Sequence, residues 1–150
     1  MAREGQKVEI DGIWSTGEWL FHGEGWAAKL GLGKQLLDQE NVTLRVIITR
    51  EGGVRGERSI RQQHVTALLE NEKKKHPARV EFHPIYWWQL NRILTLVRYP
   101  GSPNEDEAIY MKRRLARPTV SPYLVRGADG ITYLKEVFES YVKRAALDSP

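Results

Sequence analysis

The sequence predicts an α/β chain of mixed class: one three-layer domain over residues 1–150, with a mixed, partly parallel sheet flanked by about three helices. Three observations carry this. The run "VTLRVIIT" is β-branched and nearly uninterrupted, as a strand covered on both faces is, and helical patterns lie on either side of it. After residue 80 the helical spacing gives way to short strand-like runs separated by turns, which reads as antiparallel hairpins. The closing segment carries Ile131, Leu134, Phe138, Tyr141 and Ala145 at helical spacing, so it presents one apolar stripe to a core.

Taken in order, "KVEIDGIWSTGEWLF" holds one or two short strands punctuated by Gly12 and Gly17. Residues Trp26 to Gln39 read as a helix, with Trp26, Leu30, Gly33 and Leu37 on one face. The strand "VTLRVIIT" follows, then a glycine-rich loop, "REGGVRGE". A second helix runs from about Arg58 to Lys75, with Ile60, Val65, Leu68 and Leu69 as its stripe. Its terminal "KKKH" suits the negative pole of the helix dipole, and Pro77 prevents continuation. "ARVEFHPI" is the next strand. "YWWQLNRILTLVRY" is compatible with helix or strand, and "RILTLVRY" leans towards strand. "PGSPNEDE" is a turn, "AIYMKRRL" a returning strand, and "ARPTVSPYLV" ends in a short strand. "GADG" is a turn before the last helix, expected from about Gly130 to Ala146.

Composition excludes several function classes. The chain has 150 residues and no cysteine, so disulfides, thiolate nucleophiles and Cys-ligated zinc are out. No apolar run approaches the roughly 20 residues of a membrane span, and the first residues carry no apolar leader. The expectation is a cytoplasmic protein without a membrane partner. The net charge of +4 and a pI near 9.4 favour a polyanionic partner.

The segments "WAAKLGLGKQLLDQ", "VTLRVIIT", "RSIRQQHVTALLENE", "ARVEFHPI", a following hairpin and the terminal "GITYLKEVFESYVKRA" lie in an order that resembles one half of the phospholipase D-like superfamily, over residues 25–146. The resemblance is to its degenerate regulatory members. Active members carry His-x-Lys, then four residues, then Asp; the matching "WWQLNRILTLVRY" has none of these residue types. The resemblance therefore implies the fold without the phosphodiesterase chemistry.

Two nucleotide motifs fail on inspection. "GEGWAA" has the G-x-G-x-x-A spacing, but no buried strand runs into Gly23, and Glu51 lies too far from Gly25 for the ribose-binding acid. "GLGK" lacks the phosphate loop's first glycine, since Ala28 stands there, and Gln35 replaces its Ser or Thr. No cofactor is expected. A better anion site is the loop "TREGGVRGERSIRQQ", which leaves the carboxyl end of a strand and enters a helix. Gly52 and Gly53 let backbone N–H groups converge, and Arg50, Arg55, Arg58 and Arg61, with Ser59, supply forks suited to phosphate. The bland alternative is a solvated loop. A second cluster is Lys112 and Arg114, which share one face of a strand and form a stripe with Arg92 and Arg98; the alternative is an edge strand guarded by charge.

No pair of histidines has metal-ligand spacing, so no metal is expected. His64 is the weak candidate for acid–base catalysis, more simply a bystander on its helix. Trp87 and Trp88 point to opposite faces of a strand, so one of them is an interface or base-stacking candidate or caps the core. The expected function is a non-catalytic basic module recognising nucleic acid or another phosphate-bearing polyanion. The alternatives are an interaction factor docking onto a larger nucleic-acid machine, and a divergent phosphodiesterase or nuclease.

Overall fold

The computed structural model describes residues 6–14, 40–49, 67, 69–85, 90–112 and 123–147. They form a six-stranded mixed sheet with helices on both faces, matching the expected class. The strands are β1 (Val8–Trp14), β2 (Val42–Thr49), β3 (Val80–Ile85), β4 (Arg92–Arg98), β5 (Glu107–Lys112) and β6 (Tyr123–Arg126). Helix α1, described over residues 69–75, precedes β3, and helix α2 (Ala128–Leu147) closes the chain. The sheet order is β3-β2-β1-β4-β5-β6. β1, β2 and β3 run parallel, while β4, β5 and β6 add an antiparallel meander to the other side of β1.

Strand alternation divides the core in two. On one face Val8, Ile10, Trp14, Val42, Leu44, Val46, Ile48, Val80 and Val97 gather with Leu69 of α1. On the other, Ile13, Ile47, Ile85, Leu94, Leu96, Ala108 and Tyr110 meet the stripe of α2, comprising Ile131, Leu134, Phe138, Tyr141 and Ala145. The stripe is the one its spacing predicts, with Val137 buried and Val142 packed on the flank. β2 is therefore covered on both faces, as its composition requires.

Four details sharpen or amend the reading. Two helices, α1 and α2, are found among the described residues where about three were expected; the helix predicted over Trp26 to Gln39 lies outside them. The ambiguous run resolves, where described, into strand β4. The turn before α2 is centred on Gly127, whose φ of 98° is left-handed, and Ala128 to Gly130 already form the first helical turn. The N-terminal run, hard to read in sequence, supplies β1, the strand that joins the parallel and antiparallel halves.

β1 holds a glycine that only glycine can be. The Trp14 indole folds back over Gly12, so a Cβ there would lie 2.3 Å from the ring. The ring is held by its Nε1–H donating to Thr95 Oγ1 at 2.9 Å, and Thr95 is the cross-strand partner of Gly12. Trp14 is 2% exposed and has no room to retreat. Gly12→Ala is expected to destabilise the fold by about 1–3 kcal/mol through overpacking. Chemical denaturation measures this, and an unchanged midpoint would refute the close approach.

Candidate functional site

Parallel strands align their carboxyl ends, and here β1, β2 and β3 end at Trp14, Thr49 and Ile85. β4 starts at that same edge because it runs antiparallel to β1, and β5 ends there because it runs antiparallel to β4. The edge therefore holds Asn91 and Arg92 entering β4, Lys112 leaving β5, and Tyr123 opening β6. In open α/β sheets ligands bind at this edge, where strand order reverses; here the chain goes from β1 to one side and returns from β3 to the other.

On the α2 face of this edge, several side chains come together by register and helix packing. Arg92 and Lys112 are cross-strand partners, so their cationic ends leave the sheet side by side. Leu94 and Tyr110 are the next such pair inward. From α2, the half-exposed Tyr133 hydroxyl accepts from Arg92 Nη1 at 3.4 Å. Tyr141 donates its hydroxyl to Asn91 Oδ1. That bond uses the amide oxygen and leaves the Asn91 NH2 group, on an exposed residue, as a donor.

Tyr110 is the unusual member. It is 9% exposed, and its hydroxyl is buried without a hydrogen-bond partner among the described residues. Burial raises its pKa, Arg92 pulls it down, and the neighbouring Tyr133 and Tyr141 raise it; the balance is upward. The phenol stays protonated near neutrality and is available as a donor. Arg92, Lys112, Asn91 and Tyr110 thus offer N–H and O–H groups to one region, which is what an anion needs.

A second polar group sits deeper. Asp11 is 1% exposed in the middle of β1. Arg45 of β2 grips it with Nε on Oδ1 at 2.9 Å and Nη2 on Oδ2 at 3.0 Å. Arg98 of β4 reaches the same Oδ2 at 3.0 Å and also pairs with Glu9 at 3.0 Å. Arg45 further bonds Glu139 of α2 at 2.8 Å, and its guanidinium lies over the Phe138 ring at 4.8 Å. Burial pulls the Arg45 pKa down, but the hydrogen bonds and charges of Asp11 and then Glu139 outweigh it and hold it above the usual arginine value. Each charge is partnered, so this network ties three strands to α2; its chemistry is structural.

This corrects the predicted cationic stripe. Arg98 shares the face of Arg92, as alternation requires, but it lies at the opposite end of β4 and is consumed by Glu9 and Asp11. The acidic residues of the turn before β5, Glu105 to Glu107, lie at that same end. They border a cavity of about 390 Å³ lined by Tyr99, Asn104, Glu105, Asp106, Glu107 and Arg126. Asp106 Oδ1 accepts from the Tyr99 N–H at 2.7 Å, and Glu107 pairs with Arg126 at 3.1 Å. Burial and then the charges of Glu107, Glu105 and Asp106 raise the Tyr99 pKa. No cluster of three metal-ligating side chains occurs among the described residues.

Of the residues singled out in the sequence, Lys112 is described, exposed and beside Arg92. Arg50, Gly52, Gly53, Arg55, Arg58, Ser59, Arg61, His64, Trp87, Trp88 and Arg114 lie outside the described residues. Sequence reasoning singled out none of Asn91, Tyr110 and Tyr133, and nothing local marks Tyr110 as a tyrosine whose hydroxyl ends up buried. Comparison with known proteins returns no matching family model, no similar curated protein and no similar solved structure.

Proposed function

We propose that the chain is a non-catalytic binding module that recognises nucleic acid, or another phosphate-bearing polyanion, through the carboxyl edge of its sheet. The observation that supports this most is a shared edge. β2 ends at Thr49 on the side where Arg92 and Lys112 emerge together, and the sequence continues from there into Arg50, Arg55, Arg58 and Arg61. A cationic edge beside half-exposed and exposed tyrosines, Tyr133 and Tyr123, combines charge for a phosphate backbone with rings for base stacking. The layout of an inactive phospholipase D-like half belongs to the same proposal and rests on the sequence resemblance alone. A cytoplasmic setting belongs to the same proposal; no described helix is long and apolar enough to cross a membrane.

Arg55→Ala combined with Arg58→Ala is expected to weaken oligonucleotide binding about 10-fold or more and to flatten its salt dependence by about two phosphate contacts. Fluorescence anisotropy across a salt series measures both. No binding of DNA or RNA by the unaltered chain at low salt would sink the proposal.

One observation favours a second reading, docking onto a protein assembly. The edge strand β6 exposes Tyr123 at 63% and Leu124 at 52%. Co-purification with and without nuclease treatment separates the two, because a stoichiometric protein partner that survives nuclease supports docking. A divergent phosphodiesterase or nuclease is the remaining alternative, and activity that persists in His64→Ala would remove the mechanism that rests on that histidine.

A further inference from the structure

The carboxyl edge contains more than scattered cations. Tyr110 presents a hydroxyl that is buried, protonated and without a partner among the described residues. Leaving such a donor unpaired is costly, so it requires an explanation. Its surroundings narrow the choice. Arg92 and Lys112 stand one step outward on the same two strands, and α2 brings Tyr133 to the guanidinium. Asn91, held through its oxygen by Tyr141, is exposed and keeps its NH2 group as a donor. Among the described residues, the charged group acting on the Tyr110 hydroxyl is Arg92, and the phenols of Tyr133 and Tyr141 act on it too. An anion with several acceptor oxygens in three directions satisfies a fork, an ammonium, an amide and a phenol at once; a planar carboxylate has two oxygens and leaves donors unmet.

We propose that Tyr110, Arg92, Lys112 and Asn91 form a pocket for a single phosphoryl group, with Tyr133 and Tyr141 as the residues that hold Arg92 and Asn91 in place. This deepens the polyanion reading by naming a seat for one phosphate within the edge, and it rests on that reading only for the source of the phosphate. The same chemistry is offered by inorganic phosphate and by a phosphate of a nucleic-acid chain.

The test uses the full chain and isothermal calorimetry at low ionic strength, with inorganic phosphate as probe and acetate as comparison. Saturable phosphate binding is expected, weakened about 10-fold by Tyr110→Phe and at least as much by Arg92→Gln. Arg126→Gln removes an equal charge at the opposite edge and is expected to leave binding unchanged. Lys112→Gln, at an exposed position, keeps the pocket testable if a change at the buried Tyr110 unfolds the chain, and is expected to weaken binding several-fold. Absence of saturation, equal affinity of the Tyr110→Phe chain and the unaltered one, or acetate binding as tightly as phosphate overturns the pocket. Anisotropy with an oligonucleotide separates the two proposals. Oligonucleotide binding without phosphate saturation overturns the pocket alone. Phosphate saturation that Tyr110→Phe weakens, without oligonucleotide binding, supports the pocket and overturns the nucleic-acid reading.

Discussion

Asp11→Ala is expected to lower the unfolding free energy by about 3–5 kcal/mol, the cost of leaving the partly buried Arg45 and Arg98 without the buried carboxylate they share. Asp11 accepts from Arg45 through both carboxylate oxygens and from Arg98 through one. Without it, two guanidinium groups face each other across β1, with only Glu9 and Glu139 at the margin. Arg98 Nε is already buried without a partner among the described residues, so that side chain has little tolerance for further loss. Replacing Asp11, Arg45 and Arg98 together by apolar residues of similar size is expected to recover most of the loss, because the penalty lies in unpaired charge. Urea unfolding of the single and triple variants measures both effects. A loss below about 1 kcal/mol for Asp11→Ala would mean that water reaches the site and the network is not closed. The Asp11→Ala chain, where folded, is expected to keep its phosphate affinity, since the network lies away from the carboxyl edge.

Phe138→Ala is expected to cost about 3–5 kcal/mol. Phe138 is fully buried among Ile13, Leu94, Leu96 and the α2 stripe, and its ring lies beneath the Arg45 guanidinium. Its removal opens a cavity between helix and sheet and also uncovers one face of the ion network. The effect is therefore expected to be non-additive with Asp11→Ala, with a coupling of about 0.5–3 kcal/mol in a double-mutant cycle. Tyr133→Ala on the same helix removes a half-exposed ring and is expected to change stability by no more than about 0.5 kcal/mol. Comparable losses at the two positions would contradict the orientation of α2.

The fold was legible where one signal dominated. Val42–Thr49 reads as a strand from its β-branched run despite Arg45, and α2 reads as a helix because five apolar residues recur at its period. β1 was obscure for a physical reason. Asp11 and Gly12 interrupt its apolar pattern, and each is explained only by distant residues: Asp11 by Arg45 and Arg98, Gly12 by the Trp14 ring. The candidate site divides in the same way. Lys112 was visible as part of a basic run, whereas its place directly opposite Arg92 is a register that only the β4–β5 pairing fixes. Tyr110 was not visible, because an unsatisfied hydroxyl is a property of packing. Arg98 was misjudged because a strand pattern tells which face a cation takes but not which carboxylate awaits it.

The place of β1 in the sheet also bears on how the chain reaches its native state. β1 comes early in chain order, yet both its flanking strands come later: β2 begins at Val42 and β4 ends at Arg98. The contacts that complete it span 87 residues between Asp11 and Arg98, and 81 between Trp14 and Thr95. Loop closure over such separations makes central pairing slow relative to the local β4–β5 and β5–β6 hairpins. During synthesis, Asp11 emerges well before Arg98, and the indole of Trp14 before Thr95. Until β4 arrives, one edge of β1 stays open beside an apolar surface that the finished sheet hides. Folding of this chain is therefore expected to be late and cooperative, completed by a strand whose order of appearance and order of assembly are reversed.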